Sequence, residues 1–199
     1  MKLLETIKYQ NGQFYNLEFH EERMRIARKS IFGLVDPVNL KSLLQSFQQT
    51  DSKNIFKCRI VYDIKIDSVE FIEYNKPSIS RLKVVEDNEI EYNHKFLNRK
   101  DIDELFQTRQ SADDIIIIKN KFVSDSSYAN LLFYNGSRWL TPSRPLLMGT
   151  QRASLLSENK ITTADIHISH IESFKKVRLI NAMISFEDEL DINISDIIH

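Results

Sequence analysis

The first ten residues alternate between apolar and polar, as a half-buried strand does. They then reach Asn11-Gly12 and continue through Phe14, Tyr15 and Leu17, which predicts a hairpin with a tight turn. Between residues 20 and 32 the spacing changes to that of a helix, with Met24, Ala27 and Ile31 on one face. Leu40, Leu43, Leu44 and Phe47 repeat the i, i+3, i+4, i+7 pattern in a second amphipathic helix. Residues 57–66 and 69–74 are rich in β-branched and aromatic side chains and predict two strands, after which Asn75-Lys76-Pro77-Ser78 breaks the pattern. A lobe boundary is expected there, with a small α/β lobe over residues 1–77 and a larger lobe over 78–199. The second lobe is expected to hold a strand at 82–85, a helix over 94–108 and a strand at 114–119, in which the run Ile115 to Ile118 is buried. Residues 130–140 predict another hairpin, Asn135-Gly136 supplying the positive φ angles of a type I′ turn. A helix over 150–157 and short strands at 166–171 and 177–180 complete a mixed α+β chain without internal repeats.

Composition narrows the chemistry. At 199 residues with 42% hydrophobic content, the chain buries a substantial core. Lys and Arg total 27 against 28 for Asp and Glu, so no global field draws the protein to nucleic acid or to an acidic membrane. Cys58 is the only cysteine, which excludes an intrachain disulfide and a thiolate metal cluster and makes the cytoplasm the natural location. The opening MKLLETIKYQNGQF turns polar too soon for a signal peptide, and no run approaches the roughly 20 apolar residues of a membrane span. No zinc spacing, Walker loop, dinucleotide fingerprint or serine-hydrolase elbow is present.

The informative feature is an ordered series of short strings. It runs LETI at Leu4 to Ile7, HEER at His20 to Arg23, HKFLNR at His94 to Arg99 and SDSSYANLLF at Ser124 to Phe133. Thr141-Pro142, GTQR at Gly149 to Arg152 and INAM at Ile180 to Met183 follow. Each is weak alone, but the order and spacing resemble the class IV aminotransferases, the pyridoxal phosphate enzymes of fold type IV. That family includes branched-chain and D-amino-acid aminotransferases and 4-amino-4-deoxychorismate lyase. The resemblance covers nearly the whole chain and implies pyridoxal 5'-phosphate as cofactor. It also implies a two-lobed D-aminoacid-aminotransferase-like fold with the cofactor between the lobes, and a homodimer. Relatives begin a strand and loop earlier than the string matching LETI, so an N-terminally shortened small lobe is expected.

The resemblance also assigns roles. Lys95 falls on the lysine that bonds the cofactor aldehyde and later moves the substrate Cα proton. An amine with an ordinary pKa of about 10.4 does this at neutral pH only if burial or nearby positive charge lowers it. Asp125 takes the place of the carboxylate, commonly Glu, that keeps the pyridine nitrogen protonated. Arg23 matches a phosphate-contacting arginine, and Gly149, Thr150 and Gln151 precede a helical run whose first amides suit a phosphate. Asn181, Ala182 and Met183 match a second loop near the phosphate.

Arg59 aligns with an arginine that holds a substrate carboxylate in some relatives, a task suited to a bidentate guanidinium. A surface salt bridge is an equal alternative for it. Thr6 is expected near the active site, while Tyr92 and Tyr128 either hydrogen-bond near the cofactor or simply pack. LETI and HKFLNR are closest to the lyase branch, which releases pyruvate and p-aminobenzoate for folate synthesis from a small-molecule amino substrate. An aminotransferase acting on branched-chain or D-amino acids and an inactive cofactor-binding protein are the alternatives.

Overall fold

The computed structural model describes residues 1–47 and 53–199, the side chain of Phe47 lying outside the described part. The chain forms two compact units, one of Met1–Lys76 with His94–Asn98 and one of Pro77–Asn93 with Arg99–His199.

In the first unit, β1 (Leu3–Gln10) turns through Asn11 and Gly12, both with positive φ, into β2 (Gln13–Phe14). β1 then pairs antiparallel with β3 (Phe56–Tyr62), which pairs antiparallel with β4 (Ile66–Glu73), giving the order β2-β1-β3-β4. The strand expected over 57–66 ends at Tyr62, because Asp63 folds back to accept from the Lys65 amide. The alternation of β1 places Leu3, Glu5, Ile7 and Tyr9 on the buried side. Against that side pack α1 (Leu17–Phe32), through Met24 and Ala27, and the short α2 (Leu40–Leu44), through its two ends. Gly33 terminates α1 in the left-handed conformation, its amide bonding back to the last turn.

The helix expected over 94–108 is corrected: only α3 (Lys100–Gln107) is helical. Residues 95–97 are instead clipped in extended form onto β1. Leu4 N donates to Lys95 O at 2.9 Å, Leu97 N to Lys2 O at 2.9 Å, and Phe96 bridges Leu3 and joins the apolar core.

The second unit holds two sheets. β5 (Leu82–Glu86) lies parallel to β6 (Asp114–Lys119), flanked by β7 (Phe122–Val123) and by β13 (Ile197–Ile198). Ile115 to Ile118 of β6 are fully buried, as a central strand covered on both faces requires. The other sheet runs β10-β9-β8-β11-β12, from β8 (Asn130–Tyr134), β9 (Trp139–Pro142), β10 (Thr162–Ala164), β11 (Lys176–Ile180) and β12 (Asp191–Asn193). The β8–β9 turn is not type I′, since only Gly136 has positive φ. Asn135 Oδ1 instead accepts from the Ser137 and Arg138 amides, an Asx turn that closes a four-residue loop. The strand expected at 166–171 is replaced by a 3-10 turn over Ile168–Ser173, which His167 caps by accepting from Ser169 N. α4 (Thr150–Ser157) forms where its spacing predicted. Among the described residues no helix is long and apolar enough to cross a membrane.

Candidate active site

Glu5 sits on the buried side of β1, where alternation would otherwise place an apolar residue, and its carboxylate is fully enclosed. A buried carboxylate is tolerated only with charged or hydrogen-bonding partners. α1 supplies both from one face, at positions three residues apart. Arg23 Nε donates to Glu5 Oε1 at 3.0 Å and Arg23 Nη2 to Oε2 at 2.5 Å, a fork-on-fork pair. His20, also fully buried, places Nδ1 2.5 Å from Oε2. Burial pushes the Glu5 carboxyl upward, but the Arg23 charge and the His20 contact prevail and hold it down at about 2. His20 is shifted down by burial, against the pull of Glu5, and the positive charges of Arg23 and Lys95 push the same way. The imidazole is therefore neutral near pH 7 and donates its Nδ1 proton to Glu5. Lys95 lies half-buried on the segment clipped to β1.

Thr6, Arg59 and Glu70 are register partners across β1, β3 and β4, on the side opposite Glu5. Arg59 Nη1 donates to Glu70 Oε2 at 3.0 Å, with the Glu70 side chain half exposed. Of the two alternatives for Arg59, the surface ion pair is therefore formed.

In the second unit Asp125 follows β7 and precedes the turn into β8. Its carboxylate is almost completely enclosed, with Oδ1 accepting from Asn130 Nδ2 at 2.7 Å and Oδ2 from the Leu147 amide at 2.9 Å. Burial raises its pKa to about 6, although these bonds and the charge of Arg152 pull the other way. Arg152 is itself buried, which lowers its pKa, and it spends its donors on Thr141 Oγ1 and Pro142 O at 3.2 and 2.9 Å. The same Asn130 Nδ2 donates to Leu147 O at 3.0 Å, so one carboxamide fixes both Asp125 and the chain leading into α4.

Gly149 caps α4 in an extended conformation open to any residue, and as glycine it makes no side-chain cap hydrogen bond. It is glycine for lack of space, since a Cβ there would stand 1.9 Å from Asn130 Oδ1. Gly149→Ala is therefore expected to push the Asn130 carboxamide off Asp125 and to destabilise the fold by about 1–3 kcal/mol. A thermal unfolding curve superposable on that of the native chain would contradict this.

Thr150 and Gln151 are buried in the first turn of α4. Asn181 Oδ1 accepts from the Met183 and Ile184 amides, and its Nδ2 donates to Tyr128 O at 3.3 Å, so the Asn181–Met183 turn is tied to the loop that follows Asp125. Tyr92 is buried within the second unit.

Sequence reasoning gave no role to Glu5, His20, Asn130 or Arg152. For Glu5 a signal was present: a charge on the apolar side of an alternating strand. The crowding of Gly149 against Asn130 has no counterpart in spacing.

Each unit by itself carries residue types that pyridoxal 5'-phosphate requires: an amine and a guanidinium at Lys95 and Arg23 in the first, an enclosed carboxylate and a helix start at Asp125 and Gly149 in the second. The model of the family described as "Amino-transferase class IV" matches residues 2–186. An uncharacterized protein of Haemophilus influenzae (strain Rd) is 36% identical over 183 residues, covering 91% of this chain and 97% of its own. A crystal structure from Haemophilus somnus 129PT, named provisionally a 4-amino-4-deoxychorismate lyase, superposes with a TM-score of 0.89 at 30% identity, covering 93% of this chain and 97% of that one. A hypothetical aminotransferase of Mycobacterium tuberculosis in its PLP-bound form shares the fold at 13% identity and a TM-score of 0.70, covering 92% of this chain and 78% of its own. A family match over nearly the whole length places the chain in the amino-transferase class IV family.

Proposed function

We propose that this chain is a pyridoxal 5'-phosphate-dependent 4-amino-4-deoxychorismate lyase. The observation that carries the choice of reaction is its similarity, over nearly both full lengths, to the Haemophilus somnus structure. Family membership makes pyridoxal 5'-phosphate the cofactor. When bound, it supplies an electron sink for the pair left behind when a proton leaves the substrate Cα.

The remaining work falls to the protein. Lys95 retains the cofactor covalently between turnovers; once freed, its amine takes the Cα proton and returns one. Asp125 presents its carboxylate to the pyridine nitrogen and holds a proton there, with Asn130 and the Leu147 amide fixing its plane. Arg23 and the first amides of α4, at Thr150 and Gln151, bind the phosphate, and the turn of Asn181 and Ala182 borders it. Thr6 and Arg59 contact the amino substrate, Arg59 after giving up Glu70. Pyruvate leaves as the ring becomes aromatic, and the two products contain all the atoms of the substrate, so no co-substrate enters. A homodimer working in the cytoplasm belongs to the same proposal.

Purified, cofactor-loaded protein is expected to release pyruvate and p-aminobenzoate in equal amounts from aminodeoxychorismate, with no keto acid added. If turnover instead requires a keto-acid acceptor, the protein is an aminotransferase, and if neither occurs with cofactor bound, it is an inactive binder.

A further inference from the structure

We infer that Glu5 and His20 are positioning residues for phosphate recognition: they hold the Arg23 guanidinium in one plane so that its remaining N–H groups face the phosphate. The inference rests on the proposal that Arg23 binds that phosphate.

Arginine carries five N–H donors in a rigid fork. Glu5 takes one from Nε and one from Nη2, the only partners of Arg23 among the described residues, which leaves both on Nη1 and the second on Nη2. Those three lie on the edge turned away from Glu5, and the Arg23 side chain keeps 12% of its surface exposed. A flexible side chain is thus reduced to a fixed plate that is not fully enclosed. Immobilisation before the ligand arrives removes from binding the entropic penalty of ordering a long side chain.

His20 makes the clamp stiffer. Its ring is fully enclosed, and its contact with Oε2 stops the carboxylate from rotating about its own axis. An ion pair that only joined α1 to β1 would need neither the buried imidazole nor a guanidinium left partly exposed. Lys95 belongs to the same unit, and its charge is felt at His20. The residue proposed to retain the cofactor and the clamp therefore stand on one framework.

The test compares pyridoxal 5'-phosphate with pyridoxal, which has the same aldehyde and ring but no phosphate. The dissociation constant of each is measured by the visible absorption it acquires on the full chain. In the native protein the phosphate ester binds more tightly. Glu5→Gln, which keeps the shape and removes the charge, is expected to reduce that preference about tenfold to a hundredfold, the weight of a hydrogen bond to a charged group, with pyridoxal affinity little changed. An unchanged preference in Glu5→Gln, even if both ligands bind more weakly, would overturn the inference, because a purely structural role affects both alike.

Arg23→Gln separates the two levels. If it leaves the preference at the native value, the phosphate proposal for Arg23 fails. If it abolishes the preference while Glu5→Gln does not, only the clamp is refuted. Should Glu5→Gln not fold, as circular dichroism would show, His20→Gln carries the same comparison. A severalfold loss of preference supports the clamp, and no loss refutes it.

Discussion

Lys95→Ala is expected to fold normally and to lose covalently held cofactor altogether. Two backbone hydrogen bonds hold this segment at the start of β1, the amide of Leu4 on Lys95 O and the amide of Leu97 on Lys2 O, and together they make the Leu3–Phe96 bridge. Neither involves the Lys95 side chain, and the neighbouring Phe96 supplies the apolar anchor. Removing a half-buried lysine stem from such a frame should change stability by no more than about 0.5–1 kcal/mol. Chemistry should change far more. The variant lacks the amine that bonds the aldehyde and the group that moves the Cα proton, so turnover is expected to fall by at least about 10³-fold. The measurement is borohydride reduction of loaded protein followed by peptide mass spectrometry. In the native chain the cofactor mass is expected on the peptide containing Lys95, and in the variant on none. Cofactor found on another lysine of the native chain would refute the assignment.

The contrast between Lys95 and its surroundings shows where sequence suffices and where it does not. Binary patterning located the helices at Met24 and at Thr150, the buried run of β6 and the first hairpin, because in each a single period persists for several residues. It failed at residues 94–99. The string HKFLNR has no strong period, and its backbone is satisfied by β1, a partner about ninety positions earlier in the chain. The site follows the same division. Lys95, Asp125 and Arg23 stand out as candidates because they lie within ordered strings. Asn130 and Gly149 act through a close approach across the loop into α4, and no local pattern records it. Arg152 was visible in GTQR as a residue, but its commitment to Thr141 and Pro142 depends on β9 lying beside α4. Arg59 is a similar case. Its type suits a carboxylate clamp, but the partner it has in the ligand-free chain, Glu70, is set by β3–β4 register, which no local pattern records.

Asp125→Asn is expected to make the cofactor-free protein more stable at pH 7.5 while reducing turnover by about 10²-fold or more, the scale of removing one buried electrostatic partner from a reacting group. Burial raises the Asp125 pKa from 3.8 to about 6, so the folded state prefers the neutral acid. The stability this contributes is fully present below about pH 4 and is lost as pH rises through about 6. Above that, the enclosed anion costs about 3 kcal/mol.

The amide cannot ionise and escapes this cost, but it turns one donor toward Asn130 or Leu147, a loss of about 1–2 kcal/mol. A net gain of about 1–2 kcal/mol at pH 7.5 should therefore disappear or reverse at pH 4. Glu5, held down at about 2, has the opposite sign: its contribution is present above about pH 4.5 and lost as pH falls toward 2. That contribution is common to native and variant chains and cancels when they are compared at one pH. Thermal unfolding of both at pH 4 and pH 7.5 reads the difference. A variant less stable at both values would show that burial does not oppose this charge. With cofactor bound, a protonated pyridine nitrogen at Asp125 would add a cation to the distant charge of Arg152. The native chain should then gain stability at pH 7.5 that the variant does not, and an equal gain in both would remove Asp125 from the ring.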